Sequence, residues 1–454
     1  MTFLCVLALS LSILGTDGQG SSQIPVAAFT KGQTTHLHLT QGEIINYNKL
    51  ISKVDANIDD NGVFHATQQG LYAFHFYSLT RLNTELWMEL YKNTELICSA
   101  YAHTPSQAGY ADAGNSALLY LNPGDTVYVK AHDAYDTTLY GVPDEIYSTF
   151  TGVLLDSGFF EHEGFDRTVP HGFSVGLTQN LTISDGGKVA YDKDFNNNAA
   201  MAGYNITTND FIAPVDGLYI FHFHALSTAD MEVYLELFKN QQYIISAYAY
   251  TTNEYGDAGN SVILPLSKND DVTIKARPNY DVELLGTPSE IYCTFSGSLL
   301  SMTVPGNTGD GAGGISEVAF SVALSHNVNI TALSKVPWDR QFINYGSQFD
   351  MRTGIFTPKI SGVYVFHFHG LSETGEELYL ELVHNAEYIV SAYAYVGNSY
   401  AAGSNTATLK LIAGDQVFVR TQGETILYGA NDEIYCSFSG YLVAPFSESQ
   451  PIVG

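Results

Sequence analysis

Gly-Leu-Tyr-Ala-Phe-His-Phe occupies Gly70–Phe76 and returns twice along the chain. The second copy is Gly-Leu-Tyr-Ile-Phe-His-Phe at Gly217–Phe223, and the third is Gly-Val-Tyr-Val-Phe-His-Phe at Gly362–Phe368. Successive copies begin 147 and 145 residues apart in a chain of 454 residues. Because this spacing is the length of a whole domain rather than of a solenoid unit, the chain is predicted to carry three copies of one fold.

The residues of each copy alternate in the manner of a β-strand. In Leu71–Tyr77 one face carries Tyr72, Phe74 and Phe76, and the opposite face includes His75. A period of two in aromatic-rich runs indicates strands. Similar runs are separated by Gly-Asp and Asn-Pro-Gly turns, and no stretch has sustained helical spacing. Many short strands joined by regular turns predict an all-β antiparallel sandwich or barrel in each repeat.

The chain is sparsely charged but strongly acidic. Asp and Glu number 47 against 19 Lys and Arg, which gives a formal net charge of −28. Because phosphates attract basic patches, this balance argues against nucleic acid or an anionic membrane as a partner. It favours cations, cationic surfaces or simple solubility as the reason for the acidity.

The first twenty residues differ from the rest of the chain. Phe3–Leu14 is apolar and small and polar residues follow it, which is the pattern of a secretory signal peptide over residues 1–20. The apolar stretch is shorter than the roughly 20 residues that a membrane-spanning helix needs. The mature protein is therefore expected to be secreted and extracellular, without a membrane span. Glycosylation sequons at Asn180, Asn205 and Asn329 agree with this expectation.

Three cysteines remain once the signal peptide is removed, and they do not form a disulfide framework: Cys98, Cys293 and Cys436. Cys98 aligns with apolar residues of the other repeats and is predicted to be a core residue. Cys293 and Cys436 occupy equivalent positions, so a bridge between them requires the repeats to pack close together. Buried free thiols are the favoured prediction.

Similar opening and closing residues in each repeat set the domain boundaries. In chain order, the predicted segments are a domain at 23–156, a linker at 157–169, a domain at 170–301, a linker at 302–315 and a domain at 316–446. The second linker is rich in glycine and is predicted to be flexible.

The third repeat contains a spaced series of polar, aromatic and glycine residues, namely Asn344, Phe349, Phe356, Gly362, Tyr364, Phe366 and Phe368. With this series the repeats resemble the globular head domain of complement C1q. That family is shared with adipocyte-type hormones and, more distantly, with tumour necrosis factors. The resemblance implies three tandem ten-stranded jelly-roll β-sandwiches of a kind that forms tight trimers.

The chain lacks the stalk that usually joins such domains into trimers. It has no Gly-X-Y tract and no heptads. The linkers are nevertheless long enough to extend over several tens of ångströms. One chain is therefore expected to supply all three protomers of an intramolecular pseudo-trimer, since covalent linkage raises the effective concentration of the partners. The alternative is self-association of the domains between chains.

The resemblance also implies calcium near the apex of the trimer, bound by oxygens of the loops. The corresponding loops contain Asp112 and Asp257, whereas the third repeat has Ala401 and Ala402. Carboxylate oxygens suit a hard cation such as Ca²⁺. The predicted calcium ligands are Asp112, Asp257, Asp144, Glu145, Glu290 and Asp432.

The aromatic triplets of the repeated phrase are predicted to form the core and trimer-contact scaffold, because so apolar a strand face must be covered. The scaffold residues are Tyr72, Phe74, Phe76, Tyr219, Phe221, Phe223, Tyr364, Phe366 and Phe368. The opposite face holds His75, His222 and His367 at one equivalent position. If that face turned toward a pseudo-threefold axis, the three imidazoles would converge as a zinc site; otherwise they are ordinary half-buried histidines.

The sequence contains no Gly-x-Ser-x-Gly elbow, His-Glu-x-x-His motif, P-loop or dinucleotide fingerprint, so an enzyme is not expected. We interpret the chain as a secreted recognition protein that binds extracellular glycans or microbial surface patterns in a lectin-like, innate-immune role. Two alternatives remain open. One is an acidic extracellular matrix component associated with calcium or mineral, and the other is a cytokine-like ligand of a protein receptor.

Overall fold

The computed structural model describes residues 26–81, 83–103, 109–156, 172–196, 203–302, 318–346 and 348–446. The predicted signal peptide at 1–20, the linker at 157–169 and all but the first residue of the linker at 302–315 lie outside this part of the chain.

The three repeats contain strands that follow one another in a similar order along the chain. Repeat 1 contains β1 Ala28–Gln33, β2 Leu37–Leu39, β3 Lys49–Val54, β4 Phe64–His65, β5 Gly70–Arg81, β6 Glu85–Lys92, β7 Glu95–His103, β8 Tyr110–Leu121, β9 Thr126–Ala131, β10 Thr137–Leu139 and β11 Ser148–Asp156. Repeat 2 contains β12 Gly172–Gly176, β13 Leu181–Ile183, β14 Lys193–Asp194, β15 Tyr204–Asn205, β16 Asp210–Ile212, β17 Gly217–Leu226, β18 Val233–Lys239, β19 Gln242–Ala249, β20 Asp257–Leu266, β21 Asp271–Ala276, β22 Val282–Leu284 and β23 Thr294–Ser301. Repeat 3 contains β24 Ala319–Ala323, β25 Val328–Ile330, β26 Arg340–Tyr345, β27 Phe349–Asp350, β28 Ile355–Phe356, β29 Gly362–Leu371, β30 Glu377–His384, β31 Glu387–Tyr395, β32 Ala402–Leu411, β33 Val417–Thr421, β34 Thr425–Leu427 and β35 Ser437–Pro445.

Each repeat is a sandwich of two antiparallel sheets. The sheet that faces the other repeats, here called the inner sheet, has the order β3-β1-β11-β5-β8, β14-β12-β23-β17-β20 or β26-β24-β35-β29-β32. The outer sheets have the orders β4-β9-β6-β7, β15-β16-β21-β18-β19 and β27-β28-β33-β30-β31. The prediction of three all-β jelly rolls is confirmed. Short two-residue segments bring the strands among the described residues to eleven or twelve in each repeat.

The repeated phrase lies on an interior strand of each inner sheet, and its aromatic face forms the core of the sandwich. Tyr72, Phe74 and Phe76 are at most 1% exposed. The Phe74 ring centroid lies 5.5 Å from that of Phe64 and 6.0 Å from that of Phe150, both in the same repeat. The predicted scaffold residues of all three repeats are buried in this way, at Tyr72, Phe74, Phe76, Tyr219, Phe221, Phe223, Tyr364, Phe366 and Phe368. The opposite face of the same strand, which carries His75 in repeat 1, contacts the neighbouring repeats.

An asparagine of each repeat donates a hydrogen bond to the next repeat. The three bonds run from Asn115 Nδ2 to the Tyr292 carbonyl (2.7 Å), from Asn260 Nδ2 to the Tyr435 carbonyl (2.8 Å) and from Asn405 Nδ2 to the Tyr147 carbonyl (3.1 Å). The third bond leads from repeat 3 back to repeat 1. One chain therefore forms a closed head-to-tail ring of three domains, which is the expected intramolecular pseudo-trimer.

Main-chain bonds reinforce each junction of the ring. They join Ser99 N to Ile291 O (2.7 Å), Ser246 N to Ile434 O (2.8 Å) and Ser391 N to Ile146 O (2.8 Å). At the junction of repeats 3 and 1, Tyr395 also pairs with Tyr110. That pairing joins the outer sheet of repeat 3 to the inner sheet of repeat 1 in one ten-stranded sheet.

The three described cysteines are buried free thiols, which confirms the favoured prediction. The thiol of Cys293 lies against the carbonyls of Leu226 and Leu285, and the thiol of Cys436 lies in the equivalent place within repeat 3. Each sulfur is thus enclosed by its own repeat, so the alternative bridge between Cys293 and Cys436 does not form.

Candidate functional site

The inward faces of β5, β17 and β29 meet in layers along the pseudo-threefold axis. The lowest two layers are apolar and belong to one buried cluster, with the members Leu71, Leu218, Val363, Ala73, Ile220 and Val365. They lie on this face because side chains alternate along a β-strand, so that every second residue of the repeated phrase points toward the axis. Apolar burial of this kind holds the three repeats together at the base of the axis.

The next layer along the axis consists of His75, His222 and His367. Their ring centroids lie 4.7 to 4.8 Å apart in all three pairs, and the rings meet at angles of 59° to 64°. All three side chains are at most 2% exposed. The sequence could not show on which side of the sheet the other repeats lie, so it left open whether these residues converge; the structure brings them together.

Burial fixes the protonation of this histidine layer. Loss of hydration, with a smaller contribution from the neighbouring imidazoles of His224 and His369, lowers the pKa of His75 to about 3. For the same reason the pKa values of His222 and His367 lie well below the ordinary value. The layer therefore consists of neutral imidazoles at physiological pH, and neutral imidazole is the form that binds metal ions.

Above the histidines lies a layer in which the repeats have diverged. It contains Tyr77, His224 and His369, which sit at equivalent positions of the three strands. His369 is held by Ser404 Oγ, 2.7 Å from Nδ1, and by Ser261 Oγ, 2.9 Å from Nε2. The second of these contacts crosses from repeat 3 to repeat 2, so this layer also ties repeats together.

Two of the predicted calcium ligands come together at the top of the axis. Asp112 is buried and its Oδ2 accepts a hydrogen bond of 2.8 Å from the Ser404 backbone N–H of repeat 3. Asp257 lines the same small cavity. Loss of hydration raises the pKa of both carboxyl groups well above the ordinary value, and for Asp257 the nearby Asp112 adds to the shift. The equivalent position of repeat 3 is Ala402, which offers no ligand oxygen.

The structure does not bring the other four predicted calcium ligands into this site. Glu145 accepts a hydrogen bond from Tyr147 OH, and Asp144 beside it is exposed. Glu290 lies 3.7 Å from His132 Nε2, and Asp432 pairs with an arginine at 3.0 Å. These residues lie on the loop before the closing strand, which contacts the side of a neighbouring repeat rather than the axis. Among the described residues, the one group of three or more potential metal ligands is the histidine layer.

The cavities at the apex of the axis are small. Tyrosines of all three repeats, Tyr110, Tyr255 and Tyr400, surround the upper one, which has a volume of about 30 Å³. The lower one, beside Asp112 and Asp257, has a volume of about 10 Å³. Such spaces hold a water molecule or a single cation, whereas pockets for organic ligands have roughly 300 Å³ or more. An organic ligand of that size therefore does not fit in either of these two apical cavities.

An aromatic stack that the sequence did not single out covers the junction of repeats 1 and 2. Trp87 stacks on His132 with ring centroids 4.1 Å apart and on Tyr135 with centroids 4.5 Å apart. Tyr135 is the outermost ring and is 47% exposed. Carboxylates of both repeats flank the stack, because His132 Nε2 lies 3.5 Å from Glu89 and 3.7 Å from Glu290. Burial raises the pKa of Glu89 to about 7.

The other two junctions carry different residues in the equivalent place. The backbone N–H groups of His132, Arg277 and Gln422 make the same contact in their own repeats, to the carbonyls of Trp87, Tyr234 and Tyr379. Arg277 binds Glu236 at 2.9 Å and Asp432 of the next repeat at 3.0 Å. Tyr280, like Tyr135, follows this position by three residues and is exposed, whereas repeat 3 has a shorter loop without a tyrosine. This difference in loop length is visible in the sequence and could have indicated a variable surface.

The predicted glycosylation sites lie on the surface. Asn180, Asn205 and Asn329 are all exposed. The side chains of Asn180 and Asn205 accept hydrogen bonds from Gly286 N and Thr207 N, respectively. Their positions leave room for a glycan, and glycosylation itself stays a prediction.

A family model of the C1q domain matches the chain three times, at residues 28–155, 172–300 and 319–443. The chain belongs to the C1q-domain family. The matched segments coincide with the three jelly rolls, so nearly all of the described structure consists of C1q domains. No helix in the described residues of this C1q-domain protein has the length and apolar character needed to cross a membrane.

Individual relatives match one domain at a time. Caprin-2 of Danio rerio is 40% identical over 129 residues, which are 28% of this chain and 14% of that protein. Complement C1q tumor necrosis factor-related protein 3 of Homo sapiens is 38% identical over 129 residues, 28% of this chain and 51% of that protein. The matches thus span about half or less of these relatives. Among solved structures, the globular domain of zebrafish complement 1qA protein is 27% identical, with a TM-score of 0.25, and the match covers 28% of this chain and 99% of that domain.

Proposed function

We propose that this C1q-domain protein is a secreted, non-enzymatic recognition protein that binds extracellular glycans, including those of microbial surfaces. The aromatic stack of Trp87, His132 and Tyr135 is the observation that supports this function. A sugar ring can lie with its C–H groups against an exposed aromatic face, while its hydroxyl groups donate hydrogen bonds to nearby carboxylates. Tyr135 supplies such a face, and the carboxylate of Glu290, whose side chain is 24% exposed, lies beside the same stack, whereas Glu89 is buried beneath it.

The closed ring of domains gives this surface a second property. Tyr280 occupies the equivalent place at the junction of repeats 2 and 3 and is 42% exposed. Its ring centroid lies 4.9 Å from that of Tyr234. Two sites held at a fixed separation bind a repetitive glycan surface with avidity, because the second binding event is intramolecular. Weak individual sites would then suffice for recognition of a dense surface.

Replacement of Tyr135 and Tyr280 by alanine is expected to reduce glycan binding at least tenfold, because the exposed faces of the two stacks are removed. The measurement is binding of the full chain and of the Tyr135→Ala/Tyr280→Ala variant to a glycan array, followed by affinity measurement on the positive glycans. Leu50→Ala is the control, since Leu50 is an exposed apolar residue that belongs to neither aromatic group and is 53% exposed. Equal binding by the double variant would contradict the proposal.

The same experiments separate the alternative functions. A protein that binds no glycan but shows saturable, protease-sensitive binding to cells would be a receptor ligand. Recovery of the protein from an insoluble or mineral fraction would instead favour a matrix role. Its acidic composition, with a net charge of −28, is compatible with that role, although no acidic low-complexity tract is present in the sequence.

We also propose that calcium binds at the apex, with Asp112 and Asp257 as its carboxylate ligands. The donor set fits a hard cation in part, because two poorly hydrated carboxylates adjoin a cavity of cation size. Isothermal titration calorimetry at millimolar Ca²⁺ is expected to detect binding to the wild-type chain and none to Asp112→Asn/Asp257→Asn. Asp144→Asn, which alters an exposed carboxylate outside the apex, should bind like the wild type. Absence of heat in the wild type would remove calcium from the proposed function.

A further inference from the structure

The histidine layer is chemically unlike the apolar layers below it on the axis. His75, His222 and His367 come from three domains, yet their potential ligand nitrogens all lie within 4.8 Å of one another. The layer below is formed by alkyl side chains, and no carboxylate belongs to the group. Three buried imidazoles therefore face one another across the axis.

Several nitrogens of this layer have no hydrogen-bond partner. Both ring nitrogens of His75, Nδ1 of His222 and Nε2 of His367 are buried and unpartnered. The remaining nitrogen of His367, Nδ1, lies 2.9 Å from Thr406 Oγ1 and is held by it. Burial of an unpartnered polar atom destabilises the folded protein. A ligand between the rings would satisfy one nitrogen of each histidine at once.

We propose that the layer of His75, His222 and His367 is a metal site that binds one divalent transition-metal ion, with zinc as the expected occupant. All-nitrogen sites of imidazole suit zinc, copper and nickel and not calcium, which takes oxygen ligands. Each repeat contributes one ligand, and a water molecule completes the tetrahedral set. The site is separate from the carboxylates of the apex, because the layer of Tyr77, His224 and His369 lies between them.

The present spacing of the nitrogens is close to what coordination requires. A point equidistant from three atoms that are 4.8 Å apart lies about 2.8 Å from each of them. Zinc–nitrogen bonds are about 2.0–2.1 Å long. Each imidazole must therefore move inward by less than about 1 Å, which rotation about side-chain bonds provides without displacement of the strands.

Such an ion stabilises the closed ring specifically. The three ligands come from positions separated by 147 and 145 residues in the chain, so the complete site exists only when all three domains are docked. A ligand that binds the folded form alone raises its stability in proportion to the logarithm of the ligand concentration. Zinc would therefore link the three domains of the ring at the pseudo-threefold axis.

The test uses the full mature chain, produced without a histidine tag and refolded from urea in the presence or absence of ZnCl₂, because the site is buried. Elemental analysis after extensive dialysis is expected to find one zinc per chain. The zinc-loaded protein should melt at least 5 °C above the metal-free protein, and a chelator present during refolding should abolish the difference. Refolding with Co²⁺ should give the visible absorption bands of a tetrahedral nitrogen site.

His222→Leu is expected to abolish zinc retention and the zinc-dependent rise in Tm. Because it also removes a buried unpartnered group, the metal-free variant should still fold. His38→Ala, which changes an exposed histidine, should retain one zinc per chain. Retention of less than 0.1 zinc per chain by the wild type, or equal retention by His222→Leu, would overturn the proposal. If His222→Leu does not fold, X-ray absorption of the zinc-loaded wild type decides: three imidazole ligands near 2.0 Å support the site, and their absence refutes it.

Discussion

Replacement of Asn260 by alanine is expected to destabilise the protein by roughly 3–5 kcal/mol, because several buried polar groups lose their partner at once. The Asn260 Nδ2 group donates to Ser246 O within repeat 2 and to Tyr435 O in repeat 3, at 2.8 Å in both cases. Its Oδ1 accepts from Ser261 N at 2.8 Å and from Ser437 Oγ at 2.6 Å. Alanine would remove all four hydrogen bonds at a buried position, since Asn260 is 1% exposed.

Urea denaturation of wild type and Asn260→Ala measures this loss. Asn344→Ala is the matched control, since Asn344 bonds the main chain of Phe349 twice and does so within one repeat. Analytical ultracentrifugation should show a compact single chain for the wild type, and Asn260→Ala should become more susceptible to proteolysis between repeats 2 and 3. A loss no larger than that of Asn344→Ala would mean that the asparagine bonds do not hold the junctions.

Phe366→Ala is expected to cost about 3–5 kcal/mol through the cavity that it leaves in the core of repeat 3. The ring is fully buried, and its centroid lies 5.6 Å from Phe356 and 6.0 Å from Phe438. Opposite it stands Gly440, where a Cβ atom would come within 2.7 Å of the Phe366 ring. The Phe366 ring therefore fills the space above Gly440. Removal of the ring leaves a cavity there, because glycine has no side chain that could fill it.

Thermal and urea unfolding of Phe366→Ala give the magnitude, and Phe366→Leu should lose less because it fills part of the space. Phe74→Ala and Phe221→Ala provide an internal comparison, since each ring has a matching glycine, Gly152 or Gly297. Similar losses in the three repeats are expected. A loss below about 1.5 kcal/mol for every alanine variant would show that the aromatic triplets are not the scaffold of the fold.

The sequence predicted the repeated domain and its core because both depend on local periodicity. Alternation in Leu71–Tyr77 assigned the aromatic residues to one face, and burial in a jelly roll follows from that assignment. The number of repeats, the absence of a Gly-X-Y tract and heptads, and the resemblance to a trimer-forming family favoured an intramolecular pseudo-trimer over self-association between chains. The same alternation placed His75, His222 and His367 on the opposite face of the strand. Whether they converge depended on how the domains dock.

The parts of the site that were not predicted depend on contacts between domains. Glu290 and Asp432 were grouped with Asp112 by their acidic character, yet they contact the flank of a neighbouring repeat. The stack around Trp87 was missed because its members lie on different strands and loops. No local pattern marks such a surface, whereas the longer loops that carry Tyr135 and Tyr280 are visible once the repeats are aligned.

A ring closed within one polypeptide does not dissociate on dilution and does not exchange subunits, since its assembly is a first-order process. In a homotrimer, an interface substitution changes all three interfaces, whereas in this chain a substitution away from the axis can change one interface alone. The three repeats have diverged in this way at His132, Arg277 and Gln422. These equivalent positions carry a titratable group, a permanent cation and a neutral amide, respectively. The molecule therefore has a fixed order of three unlike faces, and it can orient an asymmetric partner in a way that a threefold-symmetric head cannot.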